Sequence, residues 1–128
     1  MDKIKSTNLT AIKTRIGTAS IEDSLKFYSE FIGLTVLEQW SEDGDKGAIL
    51  GLSPSEGGQA FLELGHDDEP KKYEGVSIQI RVNSLDEVLH SIRGNVNFSE
   101  PAIRPWGSKY IYLLDPSGVT VILYEGKL

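Results

Sequence analysis

The chain contains no cysteine, a single methionine and only two histidines, His66 and His90. Without cysteine there is no disulfide framework, no zinc–thiolate site and no thiol nucleophile. Long apolar runs are missing too. None approaches the ~20 residues that a membrane span needs, and residues 1–8 are charged where a signal peptide would need an apolar segment. The expectation is a cytoplasmic protein with no membrane partner. Basic residues are in deficit: 13 Lys and Arg face 19 Asp and Glu, a net charge of −6. That balance excludes the concentrated basic face that nucleic acid requires, so no nucleic-acid partner is expected. An acidic chain would admit a cationic small molecule, although mild acidity is also what keeps many domains soluble.

What is present is enough for a core. In 128 residues, 39% are hydrophobic, which suits one ordinary domain or a pair of small modules. The clearest local signal lies at the end. Residues 110–114 and 119–124 are aromatic and β-branched, and Asp115-Pro116-Ser117-Gly118 between them supplies a turn. Asp115 can accept from the backbone two residues on, Pro116 presets φ, and Gly118 tolerates a positive φ.

From the start, residues 9–18 alternate, with Ile12, Thr14 and Ile16 on one side and Lys13, Arg15 and Gly17 on the other, as a strand facing a helix-covered core would. Ser20 with Asp23 three residues on opens a helix that Gly33 ends, with Ile21, Leu25, Tyr28 and Ile32 as its apolar stripe. Three β-type runs follow at 34–40, 47–52 and 59–64, separated by residues 41–46 and 53–58. The polar, proline-containing stretch 66–73 reads as a linker. The order then repeats. Residues 76–82 alternate, Ser84 and Glu87 form a second capping signal, Leu85, Val88, Leu89 and Ile92 make a stripe that Gly94 closes, and residues 96–103 lead as a strand into the terminal hairpin. The expected fold class is α+β: two βαβββ modules, about 9–65 and 74–128, in one domain spanning 1–128.

This repeat resembles the vicinal oxygen chelate superfamily, which includes glyoxalases, fosfomycin-resistance proteins, extradiol dioxygenases and bleomycin-resistance proteins. The resemblance also rests on Phe27-Tyr28 and Gly33-Leu34 in the first helix, Pro105-Trp106-Gly107, and Asp115-Pro116-Ser117-Gly118 before the last strand. It implies curled mixed sheets around a cavity and a homodimer. For the metal-dependent members it also implies a metal held by His or similar ligands and a Glu. Here the corresponding positions carry Lys13, Ser77 and Ile122, and only Glu63 matches a ligand position. A lysine repels a divalent cation and an isoleucine has no donor, so the reading expects no metal and no cofactor. Glu63 is then a partner for Lys13 or Arg15, with a weak claim to catalysis. His66 and His90 read as solvated surface.

Strand parity assigns the candidate ligand-binding face to Lys13, Arg15, Phe61, Glu63, Ser77, Gln79, Tyr110, Tyr112 and Ile122, with Trp40 and Trp106 near strand ends. Lys13, Glu63 and Ile122 are expected to converge where relatives hold a metal. Three functions stay open. The leading one is a metal-free protein that binds or sequesters an aromatic or cationic small molecule between aromatic walls. The second is a lyase, isomerase or dioxygenase-like enzyme, metal-free or with an atypical site including Glu63. The third is an interaction module without a small ligand.

Overall fold

Alternation along the strands decides which side chains meet the helices. In the computed structural model, which describes residues 3, 5–52, 60–70, 72–94 and 97–128, the chain divides into two compact units, 1–70 and 71–128.

The first unit begins with a short 3-10 turn, Ser6–Asn8, and continues as β1 (Ile12–Thr18), α1 (Ile21–Lys26) running into a π-helical segment Phe27–Ile32, β2 (Thr35–Glu42), β3 (Asp45–Gly51) and β4 (Ala60–His66). The strands form one mixed sheet in the order β1-β4-β3-β2, with β1 parallel to β4. α1 packs on β3 and β4. Register puts Ile16, Leu64 and Ala48 in one row and Leu62 and Leu50 in the next, and all five are buried.

The Ser20 hydroxyl accepts from the Asp23 N–H at 3.2 Å, and Gly33 ends the helix at φ +96°. The helix does not follow the expected stripe. Ile21, Ser24, Phe27 and Tyr28 are buried, whereas Leu25 and Ile32 are only half-buried. The π segment explains the drift: Gly33 N–H bonds the Tyr28 carbonyl five residues back, so the helical phase slips after Lys26. Ser24 can sit inside because it shares a 2.8 Å hydrogen bond with the Thr18 hydroxyl. Ile12 also departs from expectation, being 71% exposed. It lies at the start of the edge strand β1, paired with Ala60, which is exposed as well.

Residues 41–46, read as a separator, are mostly strand. β2 and β3 are joined by the two-residue turn Asp43-Gly44 with φ of 48° and 84°, the doubly positive geometry that matches strand twist. The Asp-Gly pair was the legible signal for it. The separator 53–58 and Gln59 lie outside the described residues. His66, placed in the linker from sequence, closes β4 opposite Thr18.

The second unit repeats the order as β5 (Ser77–Arg81), α2 (Leu85–Ile92), β6 (Ala102–Ile103), β7 (Lys109–Leu114) and β8 (Thr120–Glu125). Its sheet runs β5-β8-β7-β6, again with the first strand parallel to the last. The α+β class and the doubled βαβββ order are therefore those of the sequence reading. Leu85, Leu89 and Ile92 of α2 are buried with Ile111, Leu113, Val121 and Leu123 of the sheet, and the Ser84 hydroxyl caps the Glu87 N–H at 3.2 Å. β6 is much shorter than expected. Val96 lies outside the described residues, Pro101 has no N–H to give a ladder, and regular pairing is confined to Ala102 and Ile103, although the Ser99 N–H donates to the Tyr112 carbonyl at 2.9 Å. Among the described residues no helix is long and apolar enough to cross a membrane.

The turn joining β7 to β8 is built on a buried carboxylate. Asp115 Oδ1 accepts from the Ser117 N–H, the Ser117 hydroxyl and the Val119 N–H at 2.8, 2.7 and 2.8 Å, and Gly118 takes φ +92°.

Candidate functional site

In the first unit, the sheet face opposite the core carries Lys13, Arg15, Phe61 and Glu63. Register aligns Lys13 with Phe61 and Arg15 with Glu63. Lys13 Nζ reaches Glu63 Oε1 at 2.7 Å and Arg15 Nε reaches Oε2 at 3.3 Å, so each carboxylate oxygen meets its own cation. Glycines floor this face. Gly47, Gly65 and Gly17 form one row, and a Cβ on Gly65 would collide with the Arg15 guanidinium. At Gly47 a Cβ would enter the Trp40 ring, whose Nε1–H donates to Asp45 Oδ1 at 3.2 Å. Both large side chains therefore lie flat on bare backbone. Lys13 and Phe61, with Leu37, Glu38 and Ile49, also line a hollow of about 350 Å³.

In the second unit, the matching face is aromatic. Register sets Gln79, Ile122 and Tyr112 in one row and Arg81, Tyr124 and Tyr110 in the next. Ser77 lies at the end of β5, where the Gln79 amide donates to its hydroxyl at 3.3 Å. The sequence reading missed the residue at the centre. Arg104 continues the parity of Ala102 beyond β6, and its Cζ lies 5.2, 5.0 and 5.7 Å from the ring centroids of Trp106, Tyr110 and Tyr124. Its Nη2 donates to Gln79 Oε1 at 3.1 Å. The signal that could have found it was period-two continuation from Ala102 into Arg104-Pro105-Trp106-Gly107. A turn holds the loop: Gly107 N–H bonds the Arg104 carbonyl, and Arg104 N–H bonds that of Ser108, both at 2.8 Å.

A hollow of about 570 Å³ in this unit lies elsewhere, against residues 72–77, Ser117, Gly118 and Thr120. Of the expected site residues it includes Ser77 alone. This hollow and the chemically dense face thus do not coincide, and fixed polar groups among rings, rather than volume, mark the site.

Residues 10–123 match the Glyoxalase/Bleomycin resistance protein/Dioxygenase superfamily. The chain belongs to this superfamily. Among solved structures, the trypanothione-dependent glyoxalase I of Leishmania major is 26% identical, with 88% of this chain and 84% of that one covered and a TM-score of 0.69. Lactoylglutathione lyase from Agrobacterium tumefaciens is 17% identical, with coverage of 90% and 92% and a TM-score of 0.68. The antibiotic-binding protein TnmS3 from a Streptomyces species is 16% identical, with coverage of 91% and 95% and a TM-score of 0.73. The last two identities speak for the fold alone. No curated protein matches the chain.

The superfamily implies a metal, and the side chains here do not fit one. Glu63, the carboxylate at a ligand position, has both oxygens engaged by cations, and a third cation beside Lys13 and Arg15 would meet two like charges. Ser77 and Ile122, at two further positions, offer a weak neutral donor and none. Among the described residues no three His, Asp or Glu side chains gather closely enough to hold a metal ion. Neither histidine joins these faces: His66 Nε2 contacts Asp68 Oδ1 at 2.7 Å, and His90 is exposed on α2. Nearby, Glu22 is held below the ordinary carboxylate value, chiefly by a backbone hydrogen bond and then by Lys46.

Proposed function

We propose that this superfamily member binds and sequesters a small planar molecule without a metal, on the face of the second unit that carries Gln79, Tyr110, Tyr112 and Trp106; the face of the first unit with Lys13, Arg15, Phe61 and Glu63 is a separate candidate surface. The observation that carries the reading is the Arg104 cluster. A guanidinium fixed by Gln79 among three rings, beside Tyr112 and Trp106 that are about half exposed, supplies stacking surface and oriented donors together. The pairing of Glu63 with two cations supports the metal-free part. The antibiotic-binding neighbour lends the sequestration reading its precedent on this fold.

A thermal-shift screen of aromatic antibiotics and metabolites tests it. Binding at a hundred times Kd should stabilise the fold by about 2.7 kcal/mol, and the signal should vanish in Trp106→Ala. A screen that leaves the melting point unmoved throughout would remove the proposal. The rival enzyme reading is metal-free or uses an atypical site including Glu63, and stoichiometric Ni, Zn, Mn or Fe in protein purified without chelators would favour its metal-bound form.

The same proposal includes a homodimer. Each sheet ends in edge strands, and Ile12, Leu52, Ile103 and Leu114 are left 71%, 74%, 69% and 63% exposed in the single chain. Sedimentation should give about 28 kDa, twice the 14.1 kDa chain mass. A monomer at micromolar concentration refutes it.

A further inference from the structure

The aromatic face of the second unit has a charge character opposite to that of the chain. The chain carries −6, yet the row Arg81, Tyr124 and Tyr110 and the row Gln79, Ile122 and Tyr112 contain no carboxylate, while Arg81 and Arg104 bring two cations. Among the described residues neither arginine has an acidic side chain within ion-pair distance. Glu125, the nearest acidic residue in β8, has the opposite parity and accepts the Leu85 N–H at the start of α2.

Three rings around a cationic centre are the arrangement that recognises a quaternary or alkylated ammonium. Here the protein's own guanidinium already takes that place. We propose that Arg104 is a built-in cation that fills the box of Trp106, Tyr110 and Tyr124, so that this face rejects cationic ligands and selects a planar molecule bearing a carboxylate or similar anion. The inference rests on the small-molecule reading above and narrows its ligand class, against the expectation that an acidic chain would welcome a cation. One guanidinium N–H is spent on Gln79, and the remaining donors form a fork suited to a carboxylate, while the exposed ring of Trp106 offers stacking area beside it. The side chain is anchored by a neutral acceptor, so its full charge is available to a ligand.

The test uses a matched series on one aromatic body: 2-naphthoate, 2-naphthamide and (2-naphthylmethyl)trimethylammonium, titrated by calorimetry against the wild-type chain, Arg104→Met and Arg104→Lys. The wild type should bind the carboxylate about tenfold more tightly than the amide, and the ammonium most weakly. Arg104→Met removes the cation while keeping a side chain among the rings, so the carboxylate should lose its about tenfold lead over the amide and fall behind the ammonium. Arg104→Lys should keep the wild-type order, which a loss of folding would not do. A wild-type preference for the ammonium, or an order unchanged in Arg104→Met, overturns the assignment while leaving small-molecule binding intact. If none of the three binds any variant, the assignment also falls. The broader binding reading then stands or falls on the separate antibiotic and metabolite screen.

Discussion

Replacing Glu63 with glutamine keeps the shape of the side chain and removes the charge that faces Lys13 and Arg15. For a deeply buried pair, losing one partner costs about 3–5 kcal/mol. Exposure decides against that figure here: Glu63 is 15% exposed, but the Lys13 and Arg15 side chains are 47% and 52% exposed. Water can resolvate both cations once their partner is neutral, so each contact belongs nearer the ~0.2–1 kcal/mol of exposed pairs. Glu63→Gln should therefore cost about 0.5–2 kcal/mol, a fall of roughly 0.3–1.3 M in the urea midpoint at a slope of about 1.5 kcal/mol/M. A double-mutant cycle with Lys13→Met separates the two cations. Its coupling energy should be about 0.2–1 kcal/mol and should shrink in 1 M salt. The metal content of the purified protein should not change. A loss above about 3 kcal/mol, or a coupling indifferent to salt, would refute the reasoning. It would mean that the carboxylate experiences a drier environment than the exposure of its two cations implies.

The two paired glycines should respond differently. Gly47→Ala drives a methyl into the Trp40 ring and to 2.6 Å from the Leu64 carbonyl, which is backbone and cannot swing away. It should cost about 1–3 kcal/mol and shift the Trp40 emission. Gly65→Ala meets only the mobile Arg15 guanidinium, so it should cost less than about 1 kcal/mol. Equal losses in thermal melts would contradict this ranking. Asp115→Ala removes the acceptor of three hydrogen bonds and leaves the Val119 N–H without it inside the fold. A loss of about 2–4 kcal/mol is expected from chemical denaturation, and one below 1 kcal/mol would show that the turn holds without its carboxylate.

Much of the local architecture was legible because it depends on neighbours in the chain. Ser20 and Ser84 cap the residue three positions on, Asp115 bonds Ser117 and Val119, and Gly33 and Gly118 adopt φ values that other residues resist. The two-residue alternation in β1 and β4 likewise stated which side chains share a face, and with it the meeting of Lys13 with Glu63. Tertiary structure decided what local rules leave open. The buried side of α1 takes in Ser24, whose hydroxyl pairs with that of Thr18, and the π segment shifts the phase of the residues after Lys26. Ile12, apolar and in phase, is exposed at the start of its edge strand, where its partner Ala60 is exposed as well. The Arg104 cluster joins residues 79, 104, 110 and 124, brought together only when β5, β8, β7 and the loop after β6 pair in that order. Its charge character opposes the sign of the whole chain, since net charge sums over every face whereas a ligand meets only one.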